Sequence, residues 1–139
     1  MSNNTMTTQT KIGTNTKVKA GMSLATLVTG FAHGLADAKN VPLGGLEPLL
    51  IAAPSVIRGA YNAVEGAVKG VVVFQNVVEE YSSEGRTEDK EWVESKGPIL
   101  PTAIAGFNAV LWGAGGAAYA GAQNAIGYAL GTLIGKLTD

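Results

Sequence analysis

The chain has 139 residues, enough for one domain, and a formal net charge of −1. This balance gives no basic surface for binding nucleic acid, and the absence of cysteine excludes disulfides, thiolate chemistry and cysteine metal sites. Only 15 % of the residues are charged, against about 25 % in ordinary soluble domains, whereas 46 % are hydrophobic and 19 are glycine. The composition favours helices that meet lipid or tightly packed neighbours.

The first part of the chain is polar and predicts little structure of its own. Residues 1–19 are mainly Ser, Thr, Asn and Gln, and we expect a disordered polar arm there. The arm lacks the apolar core of a secretory signal, so no cleavable signal peptide is predicted. Apolar residues then recur at helical spacing, which predicts a short amphipathic helix at about 21–36. Its apolar positions are Leu24, Leu27, Val28, Phe31 and Leu35.

A second, longer helix is predicted over 55–81, where small residues recur at spacings of three and four. A polar stripe runs beside them with the same helical period. Within that stripe Glu65 precedes Lys69 by four residues, the favourable order for an ion pair on a helix. The small positions are Gly59, Ala63, Gly66 and Gly70, and the polar stripe consists of Arg58, Asn62, Glu65 and Lys69.

A charged segment over 82–97 follows, which we expect to be a solvated hinge or a short charged turn of helix. Its charges are mostly acidic. Their spacing matches no calcium-binding loop. A metal site formed by these carboxylates is therefore only weakly indicated, and none is predicted.

The last helix, predicted over 101–135, is the feature around which the chain is organised. No charge lies between Lys96 and Lys136, and Gly113–Gly116 is the weak point, where a kink or a break into two shorter helices is the alternative to one continuous helix. Its end is a tandem small-xxx-small motif, which lets another backbone approach closely. The small face contains Gly106, Ala109, Gly113, Ala117, Ala120, Asn124, Gly127, Gly131 and Gly135, and the large apolar residues opposite are Ile104, Phe107, Leu111, Ile126 and Leu133.

Residues that carry chemistry are scarce. His33 is the only histidine, and it lies in an apolar stretch where a packed or a surface histidine, with no catalytic role, is expected. No nucleophile elbow, phosphate loop or zinc signature occurs in the sequence. We therefore expect no enzyme activity, no catalytic residue, no cofactor and no metal.

These patterns predict an all-α protein: a helical hairpin of two long Gly/Ala-rich helices with a short N-terminal helix, forming one helical domain over 20–139. Through Gly59, Ala63, Gly66, Gly70, Gly127, Gly131 and Gly135 the chain resembles glycine-zipper membrane hairpins. Small hydrophobic viral coat proteins and two-helix pilins are also similar. The resemblance implies self-assembly in or around a lipid phase.

Three functions follow from this reading. The first is a non-enzymatic structural protein that forms homo-oligomers in a membrane, a virion envelope or a filament. The second is a pore-forming protein of holin or bacteriocin type, with the polar stripe lining water. The third is a soluble helical adaptor, which is favoured by the cost of about 2.5–3.5 kcal/mol for each charge at a bilayer centre. That cost applies to Arg58, Glu65 and Lys69 if their helix spans.

Overall fold

The computed structural model describes residues 2–138, with the side chains of residues 15–138. No strand occurs among these residues, so the predicted all-α class is confirmed. The elements in chain order are α1 (Ser2–Ala38), a 3₁₀ turn (Gly44–Leu46), α2 (Glu47–Ser83), α3 (Thr87–Ser95) and α4 (Ile99–Leu137).

The first two long helices begin earlier than the sequence patterns predict. The bounds of α1 start at Ser2 rather than near 21, so this helix is not short. The expected disordered arm falls mainly on residues 1–14, whose side chains lie outside the described part, and it stays a prediction. Helix α2 starts at Glu47 rather than 55. It includes Pro48 because the amide that proline lacks has no helical acceptor in a first turn.

Three helices end at residues in the left-handed backbone region, where a side chain is normally disfavoured. Asn40 has φ +58° after α1, and Gly85 and Gly97 have φ +72° and +59° after α2 and α3. After α1, the amide of Val41 donates to the carbonyl of Ala36 at 2.8 Å, which closes the last turn in a Schellman motif. These residues explain why the helices stop where they do.

The predicted hinge contains the short helix α3. Val93 is its buried residue, and most of its other residues are exposed, among them its acidic residues and Trp92. At its start, Arg86 Nε donates to Asp89 Oδ2 at 2.7 Å. This hydrogen bond raises the pKa of Arg86, with help from the nearby negative charges. The segment thus takes the form of a charged turn of helix.

Helix α4 is continuous over its 39 residues, so the alternative of a break at Gly113–Gly116 is wrong. Two of the three glycines in this segment, Gly113 and Gly116, lie against α2, whereas a Cβ added at Gly115 would meet nothing within 4 Å. A Cβ added at Gly113 would be 3.1 Å from the Cβ of Ala63, and one at Gly116 would be 2.7 Å from Cγ of Asn62. Because α2 packs along this stretch, tertiary contact offsets the low helix propensity of glycine.

The residues fall into two compact units; α2 and α4 contribute to both, and α1 belongs to unit 1 alone. Unit 1 is Met1–Ser55 with Tyr119–Asp139, and unit 2 is Val56–Ala118. In unit 2, contacts between α2 and α4 pair rising with falling residue numbers, so the two helices are antiparallel. In unit 1, contacts between α1 and α4 rise together, so these helices are parallel. The predicted boundaries, an arm over 1–19 and one domain over 20–139, stay predictions.

Candidate functional site

In unit 2, helices α2 and α4 meet through glycines of α2. An added Cβ at Gly66 would lie 2.5 Å from the carbonyl oxygen of Asn108, and one at Gly70 would lie 2.9 Å from Cα of Ala105. At Gly59 the nearest atom is Cβ of Ala117, at 3.2 Å. Distances below about 3 Å to backbone leave no room for any side chain, so the glycines set the separation of the helices.

In unit 1, glycines of both α1 and α4 make the contact. An added Cβ at Gly131 would overlap the carbonyl oxygen of Phe31, and one at Gly127 would overlap that of Leu27. From the other side, an added Cβ at Gly34 would overlap the carbonyl oxygen of Tyr128. Each helix therefore presents a glycine face to the backbone of the other.

The glycines of α1 were missed by the sequence analysis. Gly30 and Gly34 are buried, and both would place a Cβ against the backbone of α4. Their signal is the spacing of four that also marks α4, and it extends to Thr26 and Ala38. The aliphatic residues beside them predicted an amphipathic helix that packs through large side chains, and the small face of α1 was not predicted.

The structure brings most of the predicted packing residues into contacts within the chain. Ala120 is only 1 % exposed, and Gly127, Gly131 and Gly135 are buried. Gly106 differs, because a Cβ there would meet nothing within 4 Å. The remaining predicted residues at the α2–α4 contact are Gly59, Ala63, Gly66, Gly70, Gly113 and Ala117.

The large apolar side chains face outward. On α4, Phe107 is 67 % exposed, Leu111 54 % and Ile126 56 %. Among the described residues, Val93 and Ala120 are the buried hydrophobic ones. This arrangement, with small residues inside and large apolar residues outside, is the reverse of that in a water-soluble protein. The exposed large residues of α2 include Val56, Ile57, Val64, Val68, Val71, Val72 and Val73.

The polar stripe of α2 lies within unit 2 and is engaged there. Arg58 is 8 % exposed, and its Nε donates to Oδ1 of Asn62 at 3.2 Å. Lys69 Nζ lies 3.5 Å from Oε1 of Glu65 and 3.9 Å from the ring centroid of Trp112. A cation over an aromatic face gains electrostatic stabilisation. These charges thus have partners on α2 and α4.

Asn124 of α4 compensates for a proline inside α2. Pro54 has no amide hydrogen, so the carbonyl of Leu50 loses its helical donor four residues later. Asn124 Nδ2 donates to this carbonyl at 3.2 Å, and Asn124 is buried. The hydrogen bond links α2 to α4 in unit 1, at the one carbonyl of α2 that Pro54 deprives of its helical donor.

A cluster of titratable side chains lies near this link, also in unit 1. His33 is 4 % exposed, and its Nε2–H donates to Oε1 of Glu47 at 3.3 Å. The same Nε2 lies 3.6 Å from Oδ2 of Asp37, one helical turn later on α1. The hydroxyl of Tyr128 donates to that carboxylate oxygen at 2.6 Å, and its ring meets the imidazole edge-on at 4.8 Å.

An open cleft of about 450 Å³ adjoins this cluster. Its lining mixes the titratable groups with polar side chains of α2 and α4, so the cleft can hold water or a small polar ligand. Buried Nδ1 of His33 has no hydrogen-bond partner within the described chain. The lining residues are His33, Asp37, Glu47, Ile51, Ser55, Gly121, Asn124, Ala125 and Tyr128.

The sequence left open whether His33 is packed or at the surface, and it predicted no metal site. In the structure His33 is buried, and its meeting with Asp37 and Glu47 was not predicted. The first two are four residues apart on one helix, a spacing that places them on one face. Glu47 lies beyond the connector, and no local pattern predicts its approach.

Helix α4 is long and apolar enough to cross a membrane, and it alone meets this test among the described residues. Only 6 % of its most apolar window is buried. Comparison with protein-family models, curated proteins and solved structures gives no match to this chain. Its function is therefore argued from the geometry of the helix faces and of the cluster.

Proposed function

We propose that this chain is a non-enzymatic structural protein that associates with a membrane and with copies of itself. The observation that carries the proposal is the division of α4 into two kinds of surface. Its glycines contact α1 and α2, while its large apolar residues, such as Phe107 and Leu111, remain exposed. Lipid tails cover such a surface at no cost in apolar hydration.

The length of α4 agrees with a spanning helix. At 1.5 Å per residue a helix extends about 30 Å over 20 residues, the thickness of the hydrocarbon core. Helix α4 has 39 residues and carries no charge before Lys136. It is therefore long enough to cross the core and to extend beyond it into the interface. The charged segment with α3 and the C-terminal Lys136 then lie outside the hydrocarbon.

The charges of α2 are compatible with a place beside α4. Alone in lipid, each would cost about 2.5–3.5 kcal/mol. Arg58 is buried and bonded to Asn62, and Lys69, whose side chain is 49 % exposed, pairs with Glu65 and contacts the ring of Trp112. These contacts lower the cost of the charged stripe and support a helical hairpin of α2 and α4 as the membrane element. They also leave less of the stripe to line water, so we favour the structural role over a pore.

Self-association is the second half of the proposal. Most of the glycine faces are already used in contacts within the chain, so copies would meet through the exposed apolar residues. Val64 and Val68 of α2 are 67 % and 58 % exposed and lie on one helical face. Contiguous apolar surface of this kind marks interaction sites. A homo-oligomer in a bilayer, an envelope or a filament would share this surface between lipid and neighbouring copies.

Because the chain has no cysteine, single-cysteine variants test this proposal directly. Leu111→Cys is placed on the exposed apolar surface of α4, and the matched control Glu88→Cys lies in the exposed charged segment. Membranes from the expressing cells are opened, extracted with carbonate and treated with a water-soluble maleimide. We expect carbonate-resistant protein, slow labelling of Leu111→Cys, rapid labelling of Glu88→Cys, and equal labelling after denaturation.

Other outcomes separate the alternatives. A protein that is soluble without detergent, with both cysteines labelled at one rate, would contradict membrane association and favour the helical adaptor. Sizing in mild detergent tests self-association, and a monomer at all concentrations would contradict the proposal that copies of the chain associate. Release of dye from vesicles, reduced by Arg58→Gln, would instead favour the pore.

A further inference from the structure

We infer that His33, Asp37 and Glu47 form a binding site for a divalent transition-metal ion of the zinc type. The inference concerns unit 1 and does not depend on the membrane proposal. One imidazole nitrogen and two carboxylates converge there, and these ligand types suit such ions. Their contributing atoms all lie within 4.8 Å of one another.

The distances fit a single ion. Zinc bonds of about 2.0–2.2 Å in a tetrahedron place neighbouring ligand atoms roughly 3.3–3.6 Å apart. Nε2 of His33 lies 3.3 Å from Oε1 of Glu47 and 3.6 Å from Oδ2 of Asp37. The remaining pair closes by rotation of Glu47, whose side chain is 51 % exposed. The proton on Nε2 leaves when the ion binds, and Nδ1 then carries the ring hydrogen.

The two carboxylates are exposed, and what distinguishes this cluster from an ordinary group of surface acids is the buried imidazole between them and the hydrogen bond that supports Asp37. His33 is 4 % exposed, and its Nε2 points at both carboxylates. All three side chains line the cleft. Tyr128 donates to Oδ2 of Asp37 at 2.6 Å and fixes the orientation of that ligand. Hydrogen bonds to ligating carboxylates are the usual supports of metal sites. The adjoining cleft supplies room for a water as the fourth ligand.

Binding would have a structural consequence in unit 1. Asp37 and His33 belong to the end of α1, and Glu47 is the first residue of α2. A shared ion would join these two helix ends across the connector that contains the 3₁₀ turn. Since the unfolded chain does not hold the three ligands together, binding stabilises the folded state. The site acts as a metal clip between α1 and α2.

The test uses the full chain in mild detergent, without an affinity tag that binds metal. Zinc chloride is titrated by calorimetry, and cobalt chloride is titrated by its visible d–d absorption, which reports coordination geometry. We expect one ion per chain and a higher thermal midpoint with zinc. Glu47→Gln should weaken binding at least tenfold, whereas Glu88→Gln, an exposed acid of α3, should leave it unchanged.

Glu47→Gln is the decisive variant: because the side chain of Glu47 is exposed, we expect its replacement by an amide of the same size to leave the helices folded. Circular dichroism checks that helicity is retained. His33→Gln should abolish the cobalt spectrum, with folding verified in the same way. Absence of saturable binding by the parent chain would overturn the inference. Equal affinity of Glu47→Gln and Glu88→Gln would also overturn it, because binding would then be nonspecific.

Discussion

The hydrogen bond from Asn124 to Leu50 predicts that substitutions of Asn124 and Pro54, which are distant in sequence, have non-additive effects on the free energy of unfolding. Asn124 Nδ2 donates at 3.2 Å to the carbonyl that Pro54 leaves without its helical donor. Replacing Asn124 by Ala removes the donor and leaves that carbonyl unsatisfied. Orphaning a buried acceptor costs about 1–3 kcal/mol. We expect Asn124→Ala to lower the free energy of unfolding by this amount.

The Pro54→Ala background supplies the control. The alanine of this variant would restore an amide that donates to the carbonyl of Leu50 within α2, so this carbonyl no longer depends on Asn124. The cavity left by Asn124→Ala is the same in both backgrounds and cancels in a double-mutant cycle. We therefore expect Asn124→Ala to cost at least about 1 kcal/mol less when Pro54 is also replaced.

Denaturant unfolding in mild detergent, followed by circular dichroism, measures the four free energies. The parent, each single variant and the double variant complete the cycle. Neighbours that share a partner show coupling of about 0.5–3 kcal/mol, whereas independent sites add within roughly 0.3–0.5 kcal/mol. Additive effects would refute the argument that Asn124 compensates for the proline.

Three further predictions concern other contacts of the described chain. Gly131→Ala should unfold more easily than Gly106→Ala by about 1–3 kcal/mol in denaturant, because only the first overpacks a backbone contact; equal stability would contradict the close approach. Tyr128→Phe should lower the thermal midpoint, since it removes the hydrogen bond to Asp37; an unchanged midpoint would refute this. Lys69→Met should change the fluorescence of Trp112, 3.9 Å away, and an identical spectrum would exclude the cation–π contact.

The sequence by itself determined the helical class and the small faces, because both follow from local spacing. A spacing of three and four places Gly59, Gly66 and Gly70 on one side of a helix whatever that helix meets. The absence of charge before Lys136 likewise marks α4 as the most apolar helix. Its continuity through Gly113 was left open by the sequence, since isolated propensity disfavours glycine and contact with α2 offsets that preference.

Only the tertiary structure decided which faces meet. Periodicity assigns Gly131 to a face but does not say that Phe31 of α1 lies against it, because many helices could approach a glycine equally well. The meeting of His33 with Glu47 depends on how the connector returns the chain, and that path is set by packing in unit 1. The spacing of residues along the chain determines which residues share a helix face, whereas the packing of the helices determines what that face contacts.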